Sequence, residues 1–398
     1  MSVAEARVGL RAIAWEWGRI GCTGFGGPPA HIALFRRLCV AQRSWMSAQE
    51  FEDGVAATNL LPGPASTQLA IFCAWRLRGP LGAVVGGLSF IVPGLILILA
   101  LAALFLARHP PLWVAGAAAG ASAAVPAVAV QAAVGLVPAS RRRAGAGRGP
   151  RGRALLYLIG GAVAAAAIGP WLVAVLAACG IVEVTARLRS PPPPPFPPPG
   201  EGHSLPAVAL PLAALKMTVA AGLGALCWVA FKVGALSYGG GFVIIPLIQH
   251  DAVSTYHWMS SAQFLNAVAL GQVTPGPVVL TVAVVGFASA GVGGGLLAVL
   301  IAFSPSFLFV IFGGPYFDRI RASRRVQAFL TGAGASVVGA IAGSAVPLGL
   351  GLSHLWQVAL LGGAGLWLLV WRRGVVGALV CSGVLGVLFA LAGAPTGP

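Results

Sequence analysis

Residues 58–64 read TNLLPGP and residues 271–277 read GQVTPGP. The two stretches belong to a longer match. A shift of 213 residues (271 minus 58) aligns 21–64 with 234–277 without a gap. Gly26-Gly27 meets Gly239-Gly240, and Trp45-Met46-Ser47 meets Trp258-Met259-Ser260. Phe51 meets Phe264, Val55-Ala56 meets Val268-Ala269, and Pro62-Gly63-Pro64 meets Pro275-Gly276-Pro277. About a third of the aligned positions are identical. Shared hydrophobicity does not produce matching Trp, Pro and Gly, so the chain contains an internal duplication. Membrane transporters are commonly built in this way.

Composition supports a membrane reading. Of 398 residues, 58% are hydrophobic and 9% charged, against about 45–50% and 25% in soluble domains. So few charges cannot cover a soluble core, and so apolar a chain is not disordered. The apolar runs are long and do not alternate, which selects helices over a barrel. The expected class is an all-α, polytopic helical membrane protein with two inverted-topology repeats and broken helices. The net charge of +16 reads as loops held on the cytoplasmic side, or as attraction of anions. Nucleic acid is excluded as a partner, because the arginines lie beside hydrophobic runs rather than on a basic domain. The six cysteines are scattered without CxxC spacing, so neither a zinc site nor a disulfide framework is expected. No cleavable signal peptide is expected, since Glu5, Arg7, Arg11, Glu16 and Arg19 interrupt the first apolar residues.

Strong membrane-helix candidates are 80–107, 112–138, 154–186, 207–229, 292–317, 327–350, 354–371 and 374–393. The span 154–186 reads as one tilted helix or as two broken at Gly169-Pro170. Weaker, interrupted segments fall at 8–25, 47–77, 231–249 and 260–290. Residues 187–206 form a polyproline spacer. The domains are therefore 1–186, an N-terminal transporter repeat; 187–206, the linker; and 207–398, a C-terminal repeat. Arg76 and Arg78 precede the helix at 80–107, and Arg141-Arg142-Arg143, Arg148, Arg151 and Arg153 follow the next helix. In the second half the basic loop instead follows the equivalent helix, with Arg319, Arg321, Arg324 and Arg325. The positive-inside rule then makes the repeats inverted.

Each Pro-Gly-Pro is expected to break a helix at membrane depth. Proline removes a hydrogen bond and clashes with the preceding turn, and glycine adds freedom. Such breaks are tolerated only where backbone is buried or lines a cavity. Helices restarting after Pro64 and Pro277 turn their positive ends toward that point, which suits an anion. The bland alternative is a pair of structural kinks. The clusters Gly24-Phe25-Gly26-Gly27-Pro28 and Tyr238-Gly239-Gly240-Gly241 are candidates for a second backbone wall, or for close packing. Packing is the reading for Gly82/Gly86 and Gly339/Gly343, which have GxxxG spacing.

The candidate substrate-binding residues are Gly26, Gly27, Asn59, Pro62, Gly63, Pro64, Gly239, Gly240, Gln272, Thr274, Pro275, Gly276 and Pro277. Arg76, Arg78 and Lys232 are candidates to attract the anion. His31 and Asp53 are candidates for proton coupling, although Glu50, Glu52 and Asp53 together also fit a solvated face. Asn59 aligns with Gln272 and Asp53 with Asn266, so the repeats differ by one ionisable group there. Nucleotide-binding, zinc-protease and esterase motifs are absent. No catalytic residue, metal or cofactor is expected, and the chain is not expected to be an enzyme.

The residues quoted resemble the chromate ion transporter family in its long, two-domain bacterial form. The resemblance rests on Phe25 through His31, Trp45 through Phe51, Leu60 through Pro64, Arg76 through Ala83, Pro93-Gly94, Tyr238 through Gly241, Ile245-Pro246-Leu247 and Gln263 through Pro277. It implies export of chromate across the bacterial inner membrane by a multi-pass antiporter driven by the proton gradient, conferring chromate resistance. It also implies a tetrahedral oxyanion as ligand, with sulfate the chemical analogue, and the lipid bilayer as surroundings; a homodimer stays open. Relatives often carry an acidic residue before the first tryptophan, where this chain has Leu38-Cys39-Val40-Ala41-Gln42. The rivals are a carrier or channel for another anion, and a non-transporting membrane scaffold.

Overall fold

The computed structural model describes residues 8–58, 63–107, 110–145, 147–168, 171–189, 221–237, 244–313 and 323–395. Asn59, Pro62, Gly239, Gly240 and most of the polyproline stretch lie outside these residues. The first half contains α1 (Leu10–Thr23), α2 (Gly27–Arg36), α3 (Ala48–Thr58), α4 (Ala65–Phe105), α5 (Leu112–Ala144), α6 (Arg148–Val163) and α7 (Leu172–Leu188). The second contains α8 (Ala221–Leu236), α9 (Ile244–Gln249), α10 (Ser261–Val273), α11 (Thr281–Gly313), α12 (Arg324–Leu350), α13 (Leu355–Gly365) and α14 (Val375–Leu391). Among the described residues all regular structure is helical, and four helices are long and apolar enough to cross a membrane. The chain is an all-α, polytopic membrane protein.

The duplication extends to backbone detail. α2 runs into a π-helical turn at Arg37–Gln42, and α9 into one at His250–Thr255, again 213 residues on (250 minus 37). Each ends in a left-handed residue, Ser44 at φ +50° and His257 at φ +51°. The chain then turns back on itself. The Trp45 N–H donates to the Cys39 carbonyl, and the Trp258 N–H to that of Ala252, both at 2.8 Å. The serine closing each Trp-Met-Ser caps the next helix, with Ser47 Oγ accepting from the Glu50 N–H and Ser260 Oγ from the Gln263 N–H.

α4 and α11 are helical hairpins rather than rods. In α4 the path leaves helical geometry at Arg78 (φ −147°) and Gly79 (φ +64°), and in α11 at Ala290 (φ −151°) and Gly291 (φ +64°). Only glycine takes the second position of this turn without strain. The arms then press together. A Cβ on Gly82 would overlap the Ala74 carbonyl, and one on Gly294 the Gly286 carbonyl. Gly82 and Gly86, read as a packing seam, therefore pack the two arms of one hairpin. The first arm of α4, residues 65–77, is about 20 Å long at ~1.5 Å per residue. It falls short of the ~30 Å hydrocarbon core, so this arm alone does not span it. The strong candidate at 80–107 is the second arm of α4, and that at 292–317 covers the second arm of α11, which is described to Gly313.

The outer helices are exchanged between the halves. α5 packs on α14 through Gly116 and Gly120 against Ser382, Gly386 and Ala390. α12 packs on α6 and α7, with Gly339 against Leu158, Gly343 against Ala162 and Gly332 against Cys179. Each half's long helix thus leans on the other half's last helix pair, backbone to backbone, as small residues permit. The span 154–186 resolves into two helices. The candidates at 207–229 and 231–249 meet in one helix, since α8 runs from Ala221 to Leu236.

Candidate functional site

α3 ends at Thr58 and α4 begins at Ala65; α10 ends at Val273, and a short 3-10 turn at Val278–Leu280 leads into α11. The two Pro-Gly-Pro motifs occupy these breaks. Their central glycines are left-handed, Gly63 at φ +131° and Gly276 at φ +100°. Each reaches into the other half. The Gly63 N–H donates to the Ser237 carbonyl and the Gly276 N–H to the Gly24 carbonyl, both at 3.0 Å. Ser237 and Gly24 are themselves repeat equivalents (237 minus 24 is 213). A contact in which i meets j while j′ meets i′ is the signature of a two-fold relation. The halves therefore cross at two equivalent points. Both central amides are engaged by carbonyls there. Beside the second crossing, left-handed Gly26 and Gly27 open α2, and Gly27 faces Val278.

Polar side chains collect on the segments that cross. Thr67 Oγ1, Ser237 Oγ, Ser306 Oγ, His31 Nδ1 and Gln272 Nε2 are buried with no hydrogen-bond partner. Buried polar atoms are nearly always paired, so this concentration in so apolar a chain is a marked departure. Ser306 and Gln68 both lie against Gly63. His31 is fully buried, and its Nε2 lies 2.9 Å from the Gly24 carbonyl that also accepts from Gly276. A carbonyl only accepts, so Nε2 carries the hydrogen and Nδ1 presents its lone pair. Its ring stands edge-on to Phe90 at 5.1 Å. Thr274 Oγ1 is turned away, donating to the Leu270 carbonyl at 2.6 Å.

The charged candidates lie elsewhere in the fold. Arg76 pairs with Glu50, and Arg36 with Glu52 at 3.0 Å. Asp53 accepts from Gln49 Nε2 at 3.2 Å. Arg78 sits at the hairpin tip of α4 with no ion pair to another described residue. Lys232 Nζ donates to Asp251 at 2.6 Å, beside the Trp228 ring. Asp251 is the repeat equivalent of Leu38 (251 minus 213). The carboxylate missing before the first tryptophan is thus present before the second. The pair is mostly buried, with side chains 22% and 13% exposed. Asp251→Ala leaves an ammonium without its partner and is expected to lower stability by about 2 kcal/mol, between the exposed-pair and buried-pair ranges. Adding Lys232→Met restores most of it, which a thermal unfolding cycle of the two variants measures.

Sequence reading missed Ser306, although the alignment of Pro305-Ser306 with Pro93-Gly94 (305 minus 93 is 212, one residue fewer) was the signal for it. It also missed Glu183. This carboxylate is buried between Arg153 Nε at 2.9 Å and Arg187 Nε at 2.7 Å, with the Tyr157 hydroxyl at 3.2 Å. Arg187 further donates to the Arg143 carbonyl, so the arginine-rich loop is tied to the ends of α5, α6 and α7.

The chromate transporter family profile matches residues 11–184 and 224–387. A chromate transport protein of Cupriavidus metallidurans is 31% identical over 341 residues, covering 85% of this chain and 82% of that protein. A chromate transport protein of Pseudomonas aeruginosa is 31% identical over 347 residues, 83% of this chain and 79% of the relative. A relative from Synechococcus elongatus is 28% identical over 358 residues, 89% of this chain and 88% of its own length. No solved structure matches the chain significantly.

Proposed function

Since the chain belongs to the chromate transporter family, we propose that it is a secondary transporter that exports chromate across the bacterial inner membrane, coupled to the proton gradient. The observation that carries the reading is the pair of reciprocal crossings, Gly63 to Ser237 and Gly276 to Gly24, ringed by buried polar atoms without partners. A polar solute moving through an apolar bundle needs such groups to replace its water. The crossings lie where the two halves meet, so movement of one half against the other opens one side of them and closes the other. His31 and Gln272 sit on the crossing segments, and His31 supplies the exchangeable proton.

The two-fold axis is taken to lie in the membrane plane. The hairpin tip of α4 carries Arg76 and Arg78, whereas that of α11, Ala290-Gly291, carries none, and Arg324-Arg325 stand at the start of α12. Positive charge on one side then requires opposite orientations. In this reading Arg78 faces the cytoplasm and draws oxyanions toward the bundle.

The test is radiolabelled chromate flux in proteoliposomes of the purified chain, with and without an imposed pH gradient and with sulfate as competitor. Gradient-driven, sulfate-inhibited flux is expected. No flux from folded, inserted protein overturns the reading, and flux that ignores the gradient replaces the carrier with a channel.

A further inference from the structure

Although the crossings are related by the duplication, their side chains are not. Thr67 at the first crossing has Leu280 as its equivalent at the second (280 minus 67 is 213). Ser237 has Gly24, Gln68 has Thr281, and Ser306 has Gly94. At Gly94 no side chain fits, since a Cβ there would overlap the Pro275 carbonyl. Thr281 spends its hydroxyl hydrogen on the Val278 carbonyl at 2.9 Å. One crossing therefore carries free hydroxyls, and the other carries the His31 imidazole without them.

The hydroxyls of the first crossing also differ from most others among the described residues, Ser336 on α12 being likewise buried without a partner. Buried or half-buried Ser122, Thr274, Thr281, Ser304 and Ser344 each donate to a carbonyl of their own helix, as such residues usually do in apolar surroundings. Thr67, Ser237 and Ser306 are wholly buried and make no such bond. Ser306 Oγ lies 3.0 Å from the position of a Cβ on Gly63, on the same side as Gln68. The first turn of α4 starts immediately beyond, at Ala65, so its positive end faces the same spot.

We propose that the first crossing is the one oxyanion seat of the chain. Thr67, Ser237 and Ser306 donate hydroxyl hydrogens to a tetrahedral oxyanion beside Gly63, and the second crossing serves as the hinge. The inference rests on the oxyanion reading above and adds to it a position and a count. Hydroxyl donors to an anionic oxygen make short, strong bonds. The seat is neutral, so release does not have to break an ion pair.

Titration calorimetry of chromate and of sulfate into the detergent-purified full chain tests this. The wild type is expected to bind one oxyanion per chain. Ser306→Ala and Ser237→Ala each weaken binding about tenfold, the worth of one lost hydrogen bond to a charged group. Ser344→Ala, whose hydroxyl bonds the Ile341 carbonyl in α12, leaves affinity unchanged. Two oxyanions per chain, or unchanged affinity in both Ser306→Ala and Ser237→Ala, overturns the single seat and leaves the transport reading standing. A folded wild type that binds no oxyanion overturns both.

Discussion

Gly63→Ala is expected to abolish chromate flux from protein that still folds and inserts, while Gly276→Ala retains most of it. Both glycines are left-handed, so both variants carry backbone strain of about 1–2 kcal/mol. Their surroundings separate them. Around Gly276 the nearest atoms to a new Cβ are Leu280 Cδ1 at 3.6 Å, the Phe90 carbonyl oxygen at 3.8 Å and the Gly21 carbonyl oxygen at 3.9 Å. These are ordinary contacts. At Gly63 the same methyl would overlap the Gln68 amide and press on Ser306 Oγ at 3.0 Å. Those atoms belong to side chains, so the fold yields by moving them rather than by unfolding. What moves is the lining of the crossing. A displacement of about 1 Å in a positioning group is worth roughly 100-fold in rate, and that is the loss expected for Gly63→Ala. Leucine at both positions leaves no room at either crossing, and transport is expected to vanish. Flux equal to wild type in a well-folded Gly63→Leu/Gly276→Leu double variant contradicts the crossings as the route.

The duplication and its register were legible in the sequence because Trp, Pro and Gly each perform a backbone task. The Trp-Met-Ser match marks a turn and a helix cap, and both recur in the structure. The Pro-Gly-Pro match marks a helix break that both halves contain. The hairpins were not legible. The run from Thr281 to Gly313 is uniformly apolar, and the reversal at Ala290-Gly291 depends on one glycine dihedral among many glycines. The exchange of outer helices was hidden for a related reason. Hydrophobicity says that a face is buried, not which glycine-bearing face it meets. Ser306 was overlooked because a lone serine in an apolar helix usually bonds its own backbone, and the alignment with Pro93-Gly94 marks its position but not its free hydroxyl. Lys232 and Asp251 lie 19 residues apart, and the sequence does not state that the two meet.

His31→Gln is expected to remove the response of transport to a pH gradient while leaving exchange at equal pH intact. His31 has no partner in the duplication: its equivalent is Ile244 (244 minus 31 is 213). It stands at the second crossing, away from the hydroxyl-lined first one. Its Nε2–H holds the Gly24 carbonyl, the same oxygen that accepts from Gly276. A proton added at Nδ1 therefore places charge where the halves are joined. Glutamine keeps an N–H for Gly24 but offers no ring nitrogen to take up a proton. If one proton moves per cycle, a gradient of two pH units drives roughly 100-fold accumulation. The variant is expected to give none, with chromate counterflow at equal pH within about twofold of wild type, since the Gly24 bond and the first crossing are preserved. Proteoliposome uptake with and without the gradient measures both quantities in one preparation. Full gradient-driven accumulation by His31→Gln moves the coupling role to Asp53, half-buried on α3 and bonded to Gln49. Loss of counterflow together with the gradient response instead makes His31 a structural support of the crossing. The contrast between the two crossings predicts the first outcome: one binds the anion, and the other carries the proton that drives it.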